Sequence, residues 1–178
     1  MASTYLTRTP SSAGNRRTWT ISTWVKKASD AVSIFSAWYA DSTVGHFVFR
    51  FGYNGSQLGW SQWGNDSYST RLFRDPSAWY HLVLAVDTTQ ATASNRVKMY
   101  VNGVQETSFS VGAVYPSLDE ELSVNNNNIQ VIGANSYSST AEYWKGSMSH
   151  FHFIDGTAEL PTAFGEYDAN GVWTINTS

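Results

Sequence analysis

The stretch that decides the fold is WYHLVLAVDTTQATASNRVKMYVNGVQETSF, residues 79–109. From Trp79 to Val86 the run is apolar on both parities: Tyr80, Leu82, Leu84 and Val86 on one side, His81, Val83 and Ala85 on the other. That pattern predicts a strand covered on both faces, too short and too rich in aromatic and β-branched residues for a helix. A polar loop from Asp87 to Asn95 follows, after which Val97, Met99 and Val101 alternate with Lys98, Tyr100 and Asn102. This is the period of a half-buried strand. Asn102-Gly103 then predicts a type I′ turn, whose two central residues need positive φ, with a return strand from Val104.

Working outward, Trp19, Ile21, Thr23 and Val25 alternate with Thr18, Thr20, Ser22 and Trp24. Val32 to Tyr39 is a further strand candidate. Phe47, Phe49, Phe51 and Tyr53 alternate with His46, Val48, Arg50 and Gly52, a regular period of two. Asn54-Gly55 is a second hairpin signal leading to a strand over Gln57 to Trp63, and Ser67 to Phe73 gives another. Tyr5-Leu6 starts a short first strand, Ile129 to Gly133 is a short buried one, and Trp144 to Ile154 a late one with Phe151 and Phe153 on one face. Val111 to Asn128 reads mostly as loop. No heptad, internal repeat or convincing amphipathic helix is present. Ten to twelve short strands at intervals of roughly 8 to 12 residues predict an all-β, two-sheet antiparallel jelly-roll sandwich. The domain is expected to span residues 1–156, with 157–178 an extended tail docked on it or on a neighbouring subunit.

Composition narrows the function. The 178 residues carry a formal net charge of −3, 14% charged residues and no cysteine. A basic nucleic-acid or anionic-membrane surface is therefore not expected, and thiolate metal sites and disulfides are excluded. No apolar run approaches the ~20 residues of a membrane helix, and MASTYLTRTP lacks a signal-peptide core. The expected place of synthesis is a cytoplasm.

The segments WTISTWVKK, SAWYHLVLAVDTT, NRVKMYVNGVQ, IQVIGA and YWKGSMSHFHFIDG, in that order, resemble the concanavalin A-like lectin/glucanase superfamily, of its laminin G and pentraxin-like type. The resemblance runs from Tyr5 to Gly156 and implies paired central strands, with the late Trp-Lys-Gly strand pairing near the first one. The ending FGEYDANGVW resembles one that follows such domains in structural proteins of tailed bacteriophages. The two together imply a non-catalytic virion protein, a capsid decoration or cement protein or a fibre module. It would be a homotrimer held to other virion proteins, with Phe164 and Trp173 as subunit contacts. The alternative is a carbohydrate-binding lectin or adhesion module, and a glycoside hydrolase is the remaining one.

Candidate chemistry follows residue by residue. A retaining glucanase needs two carboxyls about 5 to 5.5 Å apart, given in this superfamily by an E-x-D-x-x-E strand, which is absent. Asp119-Glu120-Glu121 is contiguous and reads as a solvated loop. Sugar rings stack on aromatic faces while amides and carboxylates hold their hydroxyls, which makes Trp38, Tyr39, Trp60, Trp63, Asn65, Asp66 and Tyr68 the candidate glycan platform. No cofactor is required. Relatives of the laminin G and pentraxin type hold calcium on loop oxygens, for which Asp41, Asp66 and Asn125 are the candidates. His150 and His152 have a spacing that suits zinc or copper, without a third ligand. His81 is expected as a buried imidazole hydrogen-bonded across the sandwich.

Overall fold

The computed structural model describes residues 4–30, 32–38, 45–52, 56–62, 65–135 and 142–176. In chain order the strands are β1 (Leu6–Arg8), β2 (Thr18–Lys27), β3 (Val32–Trp38), β4 (His46–Gly52), β5 (Gln57–Gln62), β6 (Asn65–Leu72) and β7 (Tyr80–Asp87). There follow β8 (Val97–Val101), β9 (Val104–Gln105), β10 (Phe109–Val111), β11 (Ile129–Ile132), β12 (Gly146–Asp155), β13 (Gly165–Tyr167) and β14 (Trp173–Ile175). A seven-stranded sheet of order β1-β11-β3-β4-β5-β6-β10 faces a five-stranded sheet of order β12-β2-β7-β8-β9, all antiparallel, as the jelly-roll reading predicts.

The alternation seen in the sequence sets the core. Trp19, Ile21 and Val25 of β2, Phe47, Phe49 and Phe51 of β4, and Leu82 and Leu84 of β7 all point between the sheets and are buried. Trp19 meets Phe47 edge to face across the gap, with centroids 5.4 Å apart, the orientation that the ring quadrupoles favour. The β8–β9 turn has φ of 49° at Asn102 and 80° at Gly103, the positive pair a type I′ hairpin demands. The second hairpin signal, Asn54-Gly55, lies outside the described residues.

Two features differ from the sequence reading. β12 carries a bulge between Ser149 and His152, where His150 adopts φ 49°. The bulge breaks the simple alternation of the strand, although His150 and His152 still line one pocket with Ser22 and Trp24 on the outer face of the sheet. The tail also forms structure of its own, the hairpin β13-β14, which packs on the outer face of the five-stranded sheet. There Phe164 packs against Val83, Ala85 and Tyr100. Trp173 is 9% exposed and its ring lies over Gly103 and Gly165, where an added Cβ would come within 2.6 and 2.7 Å of it. The two residues expected as subunit contacts are thus turned onto the chain's own sheet, because the outer parity of β7 is apolar and needs a cover.

His81 is 1% exposed and its partners are in this layer, not across the sandwich. The Trp173 indole Nε1–H donates to its Nδ1 at 3.0 Å, so Nε2 carries the ring hydrogen and donates to Ser22 Oγ at 2.8 Å. The Trp24 ring is nearly parallel to the imidazole with centroids 5.0 Å apart, and the Trp173 ring, hydrogen-bonded to it edge on, is nearly coplanar with it at 5.9 Å. Burial, reinforced by His152 nearby, lowers its pKa to about 4.

Candidate functional site

In the seven-stranded sheet, residues paired across strands share a face, which divides the candidate residues into two groups. One row runs Ser36, Val48, Ser61, Asp66; the next runs Ser33, Arg50, Gly59, Tyr68; Trp38 and His46 pair beyond the first. All of these lie on the outer face, opposite the Phe47, Phe49 and Phe51 parity. Ser36, Val48, Gly59 and Ser61 are buried and make a floor of small side chains, while Trp38, His46, Arg50, Asp66 and Glu142 remain partly exposed around it.

Arg50 organises this face. Its Nε donates to Tyr68 Oη at 2.7 Å, and its Nη1 donates to both carboxylate oxygens of Glu142 at 2.9 and 3.0 Å. Ser33 Oγ donates to the same carboxylate at 3.0 Å. Burial works against the Arg50 charge, but Tyr68 and Glu142 more than offset it and raise its pKa above the usual value. Burial also pushes the Tyr68 phenol up, and it lowers His46, with Arg50 adding to that shift and Asp66 opposing it. His46 is therefore neutral at pH 7. The face offers donors and acceptors fixed in place on a rigid sheet, which suits recognition of a hydroxyl-rich ligand.

Tyr68 is 1% exposed, so it supports this array and is not itself a stacking platform. Its ring lies across Gly59, where a Cβ would stand 2.5 Å from Tyr68 Cδ1 and 2.1 Å from the Ser67 carbonyl oxygen. Gly59→Ala is expected to cost about 2–3 kcal/mol in urea denaturation, the scale of an overpacked core, and to displace Tyr68 from Arg50. An unchanged midpoint would show that the ring can move without loss.

Trp60 and Asn65 belong to the opposite parity. Trp60, 2% exposed, packs edge to face on Phe109 with centroids 5.5 Å apart, so it is core and not an exposed platform. With Asn65, Gln62, Tyr115 and Glu120 it lines a cleft of about 220 Å³ at the end of the sandwich. Glu120 is fixed there, accepting from Gln62 Nε2 at 2.8 Å and from the Ser117 amide at 2.6 Å. Trp38 of β3 and Asp66 and Tyr68 of β6 share the outer face, three strands apart; Trp60 and Asn65 lie behind it. Tyr39, Asp41 and Trp63 lie outside the described residues.

Two of the calcium candidates, Asp66 and Asn125, are described. Asp66 is on the outer face, whereas Asn125 donates through Nδ2 to Asp155 Oδ1 at 2.7 Å and to the Asn15 carbonyl at 3.1 Å, a loop clasp that leaves its amide facing acceptors. The two do not form a calcium site together. Among the described residues no group of three His, Asp or Glu side chains is arranged to hold a metal ion. His150 Nδ1 is 2.6 Å from Ser149 Oγ, and His152 packs on Phe164.

The residues that sequence reasoning passed over are Arg50, Glu142, His46, Ser36 and Ser61. His46, Val48 and Arg50 were legible as the parity opposite the phenylalanines. Nothing in the sequence marks Glu142, which reaches Arg50 from 92 positions away.

Two antiparallel sheets facing one another in this strand order define a jelly-roll β-sandwich module. The chain belongs to the Concanavalin A-like lectin/glucanases superfamily, whose laminin G-type family model matches residues 2–159. Solved structures of similar fold include a native heptameric SAP-like pentraxin from Limulus polyphemus, with a TM-score of 0.55 and 18% identity over 84% of this chain and 68% of that one. Another is domain 4 of an extracellular arabinanase from Geobacillus stearothermophilus in complex with arabinotriose, with a TM-score of 0.55 and 20% identity over 83% of this chain and 64% of that one. The enzymatically active domain of tailspike protein 2 of bacteriophage CBA120 has a TM-score of 0.51 and 8% identity over 86% of this chain and 24% of that one. At these identities the likeness is one of fold. No curated protein sequence matches the chain.

Proposed function

We propose that the protein is a non-catalytic binding module that holds a glycan on the outer face of its seven-stranded sheet. The observation that carries this reading is the Arg50, Glu142 and Tyr68 array beside a floor of small residues, with Trp38 at the margin as a stacking surface. Similar folds solved with sugars, such as the arabinanase domain with arabinotriose, support it. Both oxygens of Glu142 accept from the Arg50 guanidinium, an arrangement that suits a fixed acceptor better than a proton donor.

The test is a glycan array read with the native protein and with Trp38→Ala and Arg50→Ala, each checked for native melting. Each variant is expected to lose binding about tenfold or more, the effect of losing one well-placed contact of roughly 1.4 kcal/mol. Chelator is expected to leave binding unchanged. Native-like binding by both folded variants would overturn the assignment.

A second reading places the module in a bacteriophage particle, as a decoration, cement or fibre component bound to other virion proteins. It rests on the ending FGEYDANGVW and on the likeness to a tailspike domain. Its test is co-assembly with phage particles, together with light scattering for the expected homotrimer. A monomer that fails to bind particles would dismiss it.

A further inference from the structure

Resting on the glycan-binding reading above, we infer that this face selects neutral glycans and discriminates against sugars carrying a carboxylate, such as uronic or sialic acids. The outer rows carry one cationic side chain. All eleven Lys and Arg residues of the chain fall at described positions. Among them Arg50 alone lies in the rows of Trp38 and His46, of Ser36 to Asp66, and of Ser33 to Tyr68.

That single cation is already committed. Its Nη1 is held by both oxygens of Glu142 and its Nε by Tyr68, leaving Nη2 as the donor without a partner among the described residues. Recognition of a carboxylate favours a whole guanidinium fork or an ammonium to spare. Here the incoming anion would meet half a fork, with Glu142 on one side and Asp66 two strands away. Arg50, Glu142 and Asp66 together sum to one negative charge, and His46 is held neutral by burial and by Arg50. The sequence segments at 39–44, 53–55, 63–64 and 136–141 contain no Lys or Arg, so they bring no cation of their own to any face.

The same groups suit neutral sugars. Carboxylate oxygens of Asp66 and Glu142 accept hydroxyl hydrogens, Arg50 Nη2 donates to hydroxyl or ring oxygens, and Trp38 offers a ring for the sugar's CH face. An acidic sugar in this place would add like-charge repulsion in a partly desolvated setting without gaining a charge-assisted bond.

The experiment measures the full chain against matched oligosaccharide pairs at low salt: lactose and sialyllactose, galactotetraose and tetragalacturonate. Neutral members are expected to bind about tenfold or more tightly than their acidic partners, as one unfavourable charge at partly shielded range implies. Asp66→Asn, which leaves the Arg50 to Glu142 pair intact, is expected to narrow that gap, and so is raising the salt. Glu142→Gln serves as a second variant wherever its melting stays native. Tighter or equal binding of the acidic members by the native chain overturns the inference and leaves the glycan-binding reading standing. Binding of no member of any pair overturns both.

Discussion

Trp173→Ala is expected to destabilise the protein by about 3–5 kcal/mol, the cost of removing a buried indole, although the residue lies in the tail. Two contributions coincide there. The ring covers the Asn102-Gly103 hairpin turn and Gly165, and its Nε1–H is the partner of His81 Nδ1. Its loss would leave a buried imidazole acceptor unpaired as well as a cavity. For a chain of this size each kcal/mol moves the melting temperature by roughly 2–4 °C, so a fall on the order of 10 °C should appear in thermal denaturation. Trp173→Phe keeps most of the packing and loses the hydrogen bond, and should cost about 1–2 kcal/mol. A melting temperature unchanged by Trp173→Ala would mean that β13 and β14 fold and fray independently of the sandwich.

The second large effect is a loss of stability in mild acid. The His81 pKa is lowered to about 4, against about 6.5 for an unfolded histidine. As pH falls below about 6.5 the unfolded state takes up this proton first, so stability is fully present above that value and declines until the folded imidazole also protonates near 4. The span sets an upper bound of about 3 kcal/mol. Protonation also places two donors face to face, His81 Nδ1–H against the Trp173 indole. The groups lining the same pocket are His150 and His152 of β12, together with Ser22, Trp24, Phe164 and Asn176, and no carboxylate is among them to support the cation. Urea denaturation at pH 7, 5.5 and 4 should show the decline, and His81→Gln should remove most of it. His46, also lowered by burial, contributes a remainder of the same sign. A native stability independent of pH over that range would contradict the buried, neutral assignment of His81.

Much of the fold was legible because its signals are local. Asn102-Gly103 specifies its turn through φ alone, and β4 declares its two faces by strict alternation of phenylalanine with His46, Val48 and Arg50. β7 was readable as covered on both sides, and the cover turns out to be the chain's own ending. Val83, Ala85 and His81 need a partner, and Phe164 and Trp173 supply it from a distant part of the chain. Strands of three residues such as β13 and β14 carry too short a period to be recognised. The β12 bulge was hidden for a related reason, since a single inserted residue leaves the composition of a strand unchanged.

The candidate site was legible in part. Trp38, Asp66 and Tyr68 share one face of the sheet, whereas Trp60 and Asn65, their neighbours in sequence, are separated from them by parity. Leu58 and Trp60 alternate with Gly59 and Ser61, and that pattern marks Trp60 as core. Arg50 has its strongest partner in Glu142, and a contact across 92 residues leaves no trace in a single sequence.

The central claim is that ligand binds the outer face of the seven-stranded sheet and not the cleft behind it. Two-dimensional NMR of isotopically labelled protein, titrated with an oligosaccharide that the array identifies, tests this directly. Amide shifts concentrated at Ser36, Val48, Gly59 and Ser61, with the Arg50 side-chain signal moving in step, are the predicted result. Shifts confined to Val97, Val114 and Ser117, which line the cleft beside Trp60, would contradict it.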